Sequence, residues 1–397
     1  AVASLRSGAV ARSRLSHPQK AVFVDRDGTI NPLSGYLTRA EEFALIPDAA
    51  EAVRRLNAAE YRVVVTTNQP VIARGEASVA ELRRIHGRMQ TLLGQGGGFV
   101  DRVYYCPHHP DGGFPGEVVA LKHACTCRKP EPGMVDQAAA DLNIDLAESW
   151  VVGDSTADMA MARRRGIRSI LVRTGEAGRD GKHDAPPDFV AADLAEAASL
   201  ILERWPVLVA GAGPVAVRCG PGDMVLIGGL ARSGKSSFAS ALAYLLRARG
   251  LGATIVPLDH WIRSQADRAP GLLGRYDLPA AEQAVAALAA GGPATCPDYD
   301  AMQRTSQPDR HVLAAEPGGV MIVEGCPALL SQPLKARSTH RIFVACTEEV
   351  RMRRFVADYQ RRGVAPEVIQ ALYQAREDDE HALVRDSAGA ADQRIML

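Results

Sequence analysis

Aromatic residues are scarce in this 397-residue chain: 8 Phe, 9 Tyr and 3 Trp make up 5% of it. No Lys/Arg-rich stretch with interleaved rings offers bases a stacking platform, which argues against nucleic acid as a partner. Net charge is absent too, with Lys+Arg and Asp+Glu both at 46. No global field therefore draws the chain toward polyanions or anionic lipid. No apolar run approaches the roughly 20 residues that span a bilayer, so no membrane partner is expected. The 7 cysteines, an odd number in a long chain, do not read as a secreted disulfide framework. Together these absences point to a cytoplasmic protein with small-molecule partners. Residues 1–20 carry Arg6, Arg12, Arg14 and Lys20 and no acid, and lack the apolar core of a secretory signal. Such a stretch is a transit peptide or a disordered tail, and a flexible tail over 1–19 is the expectation.

The length exceeds one typical core, so two domains are expected. Apolar runs at 21–25, 62–67, 150–153 and 168–172 read as buried parallel strands, separated by helical patterns such as AAEAVRRLNAAEY and VAELRRIHGRMQTLL. A polar Gly/Pro loop at 175–189 and a short helix near 193–204 close this series. A second α/β series begins with MVLIGG at 224 and continues with strands near 253–259, 319–325 and 340–346. An Arg-rich helix over 347–362 follows. The expected organisation is a domain at 20–205, a linker at 206–221 and a domain at 222–397, each a doubly wound α/β fold.

In VFVDRDGTIN, an apolar strand ends in Asp25 and Asp27, spaced to project the same way. Like charges so close need a cation or a phosphate-handling role to offset their repulsion. Three further stretches supply matching chemistry: VVVTTNQ ends in Thr67 and Asn68, CRKPEPGM carries Arg128 and Lys129, and WVVGDSTADM carries Asp154 and Asp158. Ligands of open α/β sheets sit beyond the carboxyl ends of strands, so Asp25, Asp27, Thr67 and Asp154 should share one crevice. Several carboxylates there suit Mg²⁺. A carboxylate can attack phosphorus, and a second can serve as acid and then base. A hydroxyl and an ammonium can hold the phosphoryl oxygens.

These motifs, in this order, resemble the haloacid dehalogenase superfamily of phosphatases. The resemblance implies a Rossmann-like fold with Asp25 as nucleophile and Asp27 as general acid/base. It implies that Thr67 and Lys129 bind the phosphoryl group. Mg²⁺ would be held by Asp25, Asp154 and the Asp27 carbonyl, with Asp158 in support. Between the motifs, CPHHP and CTC present Cys106, His108, Cys125 and Cys127, a Cys₃His set suited to structural Zn²⁺. His109 and His123 are alternative imidazoles. With this loop, the chain looks most like the D,D-heptose 1,7-bisphosphate phosphatase and histidinol-phosphatase group. That likeness makes Asn68 and Arg128 substrate contacts. Pro70-Val71 stands where the group commonly has Ser-Gly, so the substrate is not fixed by the likeness.

In the second half GLARSGKSS, after a strand and before a helix, is a P-loop pattern. Gly229 and Gly234 permit the wrap around phosphates, Lys235 faces the β/γ-phosphates, and Ser236, followed by Ser237, faces the Mg²⁺ of ATP. Asp259 in PLDHW is placed to take a proton from an acceptor hydroxyl, and Glu324 in IVEG occupies a Walker-B-like position. Arg353, Arg354, Arg361 and Arg362 line a helix that suits a lid over phosphate. The order is similar to uridine kinase and phosphoribulokinase-like enzymes with a P-loop NTPase fold. The reading is a bifunctional sugar-phosphate phosphatase and ATP-dependent kinase. A polynucleotide kinase/phosphatase, a histidinol-phosphate phosphatase, and a phosphatase gated by a nucleotide-sensing P-loop are the alternatives.

Overall fold

The computed structural model describes residues 3–4, 17–301, 303–361, 363–377 and 381–397. It divides into two compact units, Ala1–Glu203 and Arg204–Leu397. Most of the tail expected over 1–19 lies outside the described residues; within it, β1 (Ala3–Ser4) pairs with Tyr104 and Tyr105.

The first unit is built on β2 (Ala21–Val24), β3 (Arg62–Asn68), β4 (Arg102–Cys106), β5 (Trp150–Gly153), β6 (Arg168–Val172) and β7 (Phe189–Ala191). The sheet order is β1-β4-β3-β2-β5-β6-β7, parallel throughout except for the edge strand β1. Helices α1 (Ala49–Ala58), α2 (Val79–Gln95), α3 (Gly133–Leu142), α4 (Thr156–Arg165) and α5 (Leu194–Ser199) accompany the strands. The central strands are buried on both faces, which is why they read as continuous apolar runs. Phe23, Val64, Tyr104, Met134, Val151 and Met161 form one core cluster. The strand order reverses beside β2, at the edge where β2, β3 and β5 all end. That is where a crevice opens in such a sheet.

The second unit begins with α6 (Trp205–Arg218) and continues through β8 (Met224–Gly228), α7 (Lys235–Ala248) and β9 (Ala253–Pro257). Then come α8 (Gly271–Arg275), α9 (Leu278–Ala289), the hairpin β10 (Ala294–Asp300) and β11 (Thr305–Leu313), β12 (Val320–Glu324), α10 (Gln332–Arg337) and β13 (His340–Ala345). The last elements are α11 (Glu348–Arg361), α12 (Pro366–Arg376), α13 (Ala382–Asp386) and β14 (Gln393–Met396). Five parallel strands lie in the order β14-β13-β8-β12-β9.

A helix stands where a linker was expected over 206–221. Leu208, Ala212, Val215 and Ala216 bury one face of α6, and its Gly211 packs closely on Phe238 of α7. The Gly/Pro/Val composition misled because Pro206 occupies the first turn, where its missing N–H costs nothing, and Pro214 is tolerated inside. By length and composition Leu194–Arg218 is apolar enough to cross a membrane; 39% of that window is buried.

Candidate active sites

In the first unit the predicted residues converge at the carboxyl edge of the sheet. Asp25 follows β2, and its N–H donates to the Val152 carbonyl of β5 at 2.9 Å, locking the turn to the neighbouring strand. The Lys129 ammonium, with its side chain 2% exposed, lies 2.9 Å from Asp25 Oδ1 and 2.6 Å from Asp158 Oδ1, and donates to the Thr66 carbonyl at 2.9 Å. Burial opposes its charge, but the two carboxylates more than offset that and raise its pKa. Asp158 also accepts from Ser155 in a capping box that starts α4, so one carboxylate both caps the helix and holds Lys129.

Asp154 follows β5 and accepts from the Glu176 N–H at 2.7 Å. Gly28 (φ 80°) and Gly175 (φ 61°) press on it: a Cβ at either would come within 2.1 Å or 2.0 Å of Asp154 Oδ2. Donor oxygens of Asp25, Asp154 and Asp158 lie within 4.8 Å of one another. Burial pushes Asp25 to about 8, against the opposing pull of Lys129, and the other aspartates add to the rise. Burial likewise pushes Asp154 to about 7. Such elevation is the mark of carboxylates crowded beyond what one ammonium neutralises. All-oxygen donors of this charge fit a hard divalent cation.

Asp27 sits in a different balance. Burial would raise its pKa, but the Arg26 guanidinium and hydrogen bonds from Arg26, Asn31 and Gln69 outweigh it and hold it low. Gln69 Nε2 donates to Asp27 Oδ2 and to Thr67 Oγ1, both at 2.8 Å, tying acid/base and hydroxyl together. Arg26 is sealed from solvent and faces His86 Nε2 at 3.3 Å; burial, then Arg26, hold His86 near 3, so it stays neutral. Sequence reasoning passed over Arg26, Gln69 and His86. A charged residue between two aspartates at a strand end was the available signal for the first.

Asn68 and Arg128, expected to touch substrate, both make hydrogen bonds to neighbouring backbone. The Asn68 amide donates to the Lys129 carbonyl at 3.1 Å and accepts from its N–H at 3.0 Å, which fixes the Lys129 loop. Arg128 donates to the His108 carbonyl at 3.2 Å.

That carbonyl belongs to the cysteine cluster. Sγ of Cys127 lies 3.3 Å from those of Cys106 and Cys125, Cys106 to Cys125 is 3.5 Å, and His108 Nδ1 is 3.2 Å from Cys127 and 3.6 Å from Cys106. A tetrahedron with Zn–S near 2.3 Å has edges of about 3.8 Å, so a small expansion accommodates the ion. His108 is the imidazole of the set; His109 Nδ1 accepts from the Asp111 N–H, and His123 packs at a tilt against His108 with centroids 4.5 Å apart.

The second unit assembles its own site. Gly229 (φ 142°) allows no side chain, since a Cβ would lie 2.1 Å from the Val344 carbonyl, and Gly234 (φ 105°) caps α7. Lys235 donates to the Leu230 carbonyl at 3.0 Å, inside its own loop. Ser236 Oγ donates to Glu324 Oε1 at 2.8 Å, and Ser237 accepts from Arg204 at 3.4 Å. Burial raises Glu324 to about 7; Lys235 pulls against that and Asp259 adds to it, so all three share one neighbourhood. Asp259 Oδ1 accepts from the Tyr276 hydroxyl at 2.9 Å. Arg354 reaches the loop carbonyls of Arg232 and Ser233, while Arg353 is exposed. Arg362 and the Arg361 side chain lie outside what is described.

Strand-edge aspartates on this parallel sheet, with a buried lysine bridging Asp25 and Asp158, define a hydrolase of the haloacid-dehalogenase type, and the HAD-hydrolase-like family model matches residues 126–197. The D-glycero-D-manno-heptose-1,7-bisphosphate 7-phosphatase of Thermosynechococcus vestitus is 41% identical over 191 residues, 46% of this chain and 96% of that one. The chain belongs to this family of HAD-like phosphatases. A solved D,D-heptose 1,7-bisphosphate phosphatase from B. bronchiseptica, complexed with magnesium and phosphate, is 37% identical and covers 47% of this chain and 99% of its own, with a TM-score of 0.41. The structure of a possible uridine kinase from Bacillus stearothermophilus covers 49% of this chain and 100% of its own at 17% identity, with a TM-score of 0.35.

Proposed function

We propose that the chain is a bifunctional sugar-phosphate enzyme, a Mg²⁺-dependent phosphatase joined to an ATP-dependent kinase. The observation that carries the phosphatase reading is the contact of Asp25 with Lys129, 2.9 Å apart beside Asp154. An Oδ of Asp25 attacks phosphorus as the ester P–O bond breaks, forming an aspartyl-phosphate. Asp27 delivers a proton to the leaving oxygen, then takes one from the water that hydrolyses the intermediate and regenerates Asp25. Its resting form is ionised; an arriving phosphate beside it raises its pKa and lets it load the proton. Thr67 and Lys129 hold the phosphoryl oxygens. Asp25, Asp154 and the Asp27 carbonyl would hold Mg²⁺, which would supply charge neutralisation for the transfer. The relatives act, by their names, on a heptose bisphosphate, and a sugar bisphosphate is the proposed substrate class here. Cys106, His108, Cys125 and Cys127 would hold a structural Zn²⁺ that fastens the 106–127 loop two residues from Lys129.

In the second unit, Lys235 and Arg354 serve the nucleotide phosphates, Ser236 and Glu324 the Mg²⁺ of ATP, and Asp259 the acceptor hydroxyl. The test is phosphate release from a panel of heptose bisphosphates, histidinol phosphate and 3′-phosphorylated oligonucleotides, with and without ATP. Preference for the sugar bisphosphate, plus ATP-dependent labelling of a sugar, is expected. Preference for the oligonucleotide would overturn the substrate class. ATP acting only to alter phosphatase rate would replace the kinase with a sensor.

A further inference from the structure

The β10–β11 hairpin carries a second cluster of metal-binding side chains that the two phosphate sites do not use. His260 stands in the turn Leu258–Trp261 after β9, next in sequence to Asp259. Asp298 lies on β10 and His311 on β11. The ladder is irregular between them: Cys296 pairs with His311 and Asp298 with Gln307, so two steps along β10 are matched by four along β11. Asp309, inside that irregularity, has φ 51°. Bulges of this kind re-aim side chains, and this one turns Asp298 and His311 toward each other.

One donor atom from each of His260, Asp298 and His311 lies within 4.8 Å of the others. The His260 and His311 rings have centroids 5.3 Å apart at 55°. An exposed ion pair accounts poorly for the group. His311 Nε2 and Asp298 Oδ1 are 3.6 Å apart, too far for a hydrogen bond, and a pair leaves the third donor unexplained. The half-exposed Asp298 and His311 are free to close the last ångström.

We propose that His260, Asp298 and His311 bind a borderline divalent cation of the Zn²⁺ class. Two imidazoles and a carboxylate form a three-ligand set that leaves an open position for water or a substrate oxygen. The bound ion fastens the hairpin to the turn that carries Asp259, at the acceptor side of the proposed transfer site. The site stands on its own geometry and does not require the second unit to turn over.

Co²⁺ titration of the chelator-stripped full chain tests this by absorption spectroscopy. The cysteine cluster gives a thiolate-to-Co²⁺ charge-transfer band; the hairpin site gives only weaker d–d bands. Wild type should show both, His311→Ala and Asp298→Ala should bind at the second at least tenfold more weakly with the first unchanged, and Cys125→Ser should keep the second. Thermal melting of His311→Ala should lose part of the upward shift that Zn²⁺ gives wild type. The proposal fails if His311→Ala binds Co²⁺ with wild-type stoichiometry and affinity, or if Cys125→Ser retains no second class of site.

Discussion

The Arg26 guanidinium, buried beneath the strand edge, donates to both carboxylate oxygens of Asp27, its terminal nitrogen lying 2.8 Å from each. The pair keeps the acid/base residue ionised while Gln69 and Asn31 fix its direction. Asp27 titrates below its ordinary value, so its stabilising contribution is present above that value and is lost as pH falls through the depressed one. Arg26→Met should therefore destabilise the first unit by about 3–5 kcal/mol at neutral pH, the cost of leaving a buried charge alone. It should also flatten the acid dependence of Tm and move the acidic limb of the phosphatase pH profile upward. Arg26→Lys should preserve much of both. An acidic limb that stays put in Arg26→Met would show that Asp27 does not set it.

Asp25→Asn should abolish phosphatase turnover with the fold intact, because an amide cannot form the phosphoryl bond. Asp27→Asn should lower kcat by about 10²–10⁴-fold. Rapid-quench trapping of phosphate on Asp25 in the Asp27→Asn protein checks the covalent route; wild-type-like turnover in Asp25→Asn would end it.

Lys129 neutralises Asp25 and Asp158 together. Lys129→Met should destabilise the unit by about 3–5 kcal/mol without metal. Mg²⁺ should then raise Tm more in the variant than in wild type, since cation and ammonium serve the same carboxylates. Equal Mg²⁺ shifts in the two proteins would contradict a shared role.

Protein prepared without chelator should carry about one Zn²⁺ per chain at the cysteine cluster. Cys125→Ser should lower that content and loosen the 106–127 loop, read by metal analysis and limited proteolysis. Because Cys127 is two residues from Lys129, the same change should lower phosphatase kcat.

Lys235→Ala should remove ATP-dependent phosphoryl transfer and leave phosphate release intact, because Lys235 and Asp25 belong to different sheets. Asp259→Asn should abolish transfer yet spare nucleotide affinity. Loss of phosphatase activity in a folded Lys235→Ala protein would favour the sensor reading.

The parallel strands were legible because double burial writes itself as an uninterrupted apolar run, and their carboxyl ends located Asp25, Thr67 and Asp154 in the first unit and, separately, Asp259 in the second. The short edge strand β14 and the polar hairpin β10–β11 were not: seven of the nine residues from Thr305 to Leu313 are exposed and none is buried, so no period-2 signature marks the strand. Nor could sequence reveal that Asn68 braces Lys129, since an amide beside a phosphate site looks the same whether it meets ligand or backbone. Arg26 escaped because its meaning depends on burial, which only packing against α2 and its His86 supplies.

Gly28 and Gly175 come from loops nearly 150 positions apart, yet an added methyl at Gly175 would lie 2.7 Å from the Gly28 Cα, with the Asp154 carboxylate against both. Any attempt to broaden the phosphatase by directed evolution meets this clasp as a fixed boundary. Libraries that randomise either position will return glycine or inactive clones, and a loss at one cannot be rescued by a change at the other. Useful diversity must come from segments that approach the crevice without entering the clasp, such as Pro70-Val71, which directly follow the Gln69 that holds Asp27.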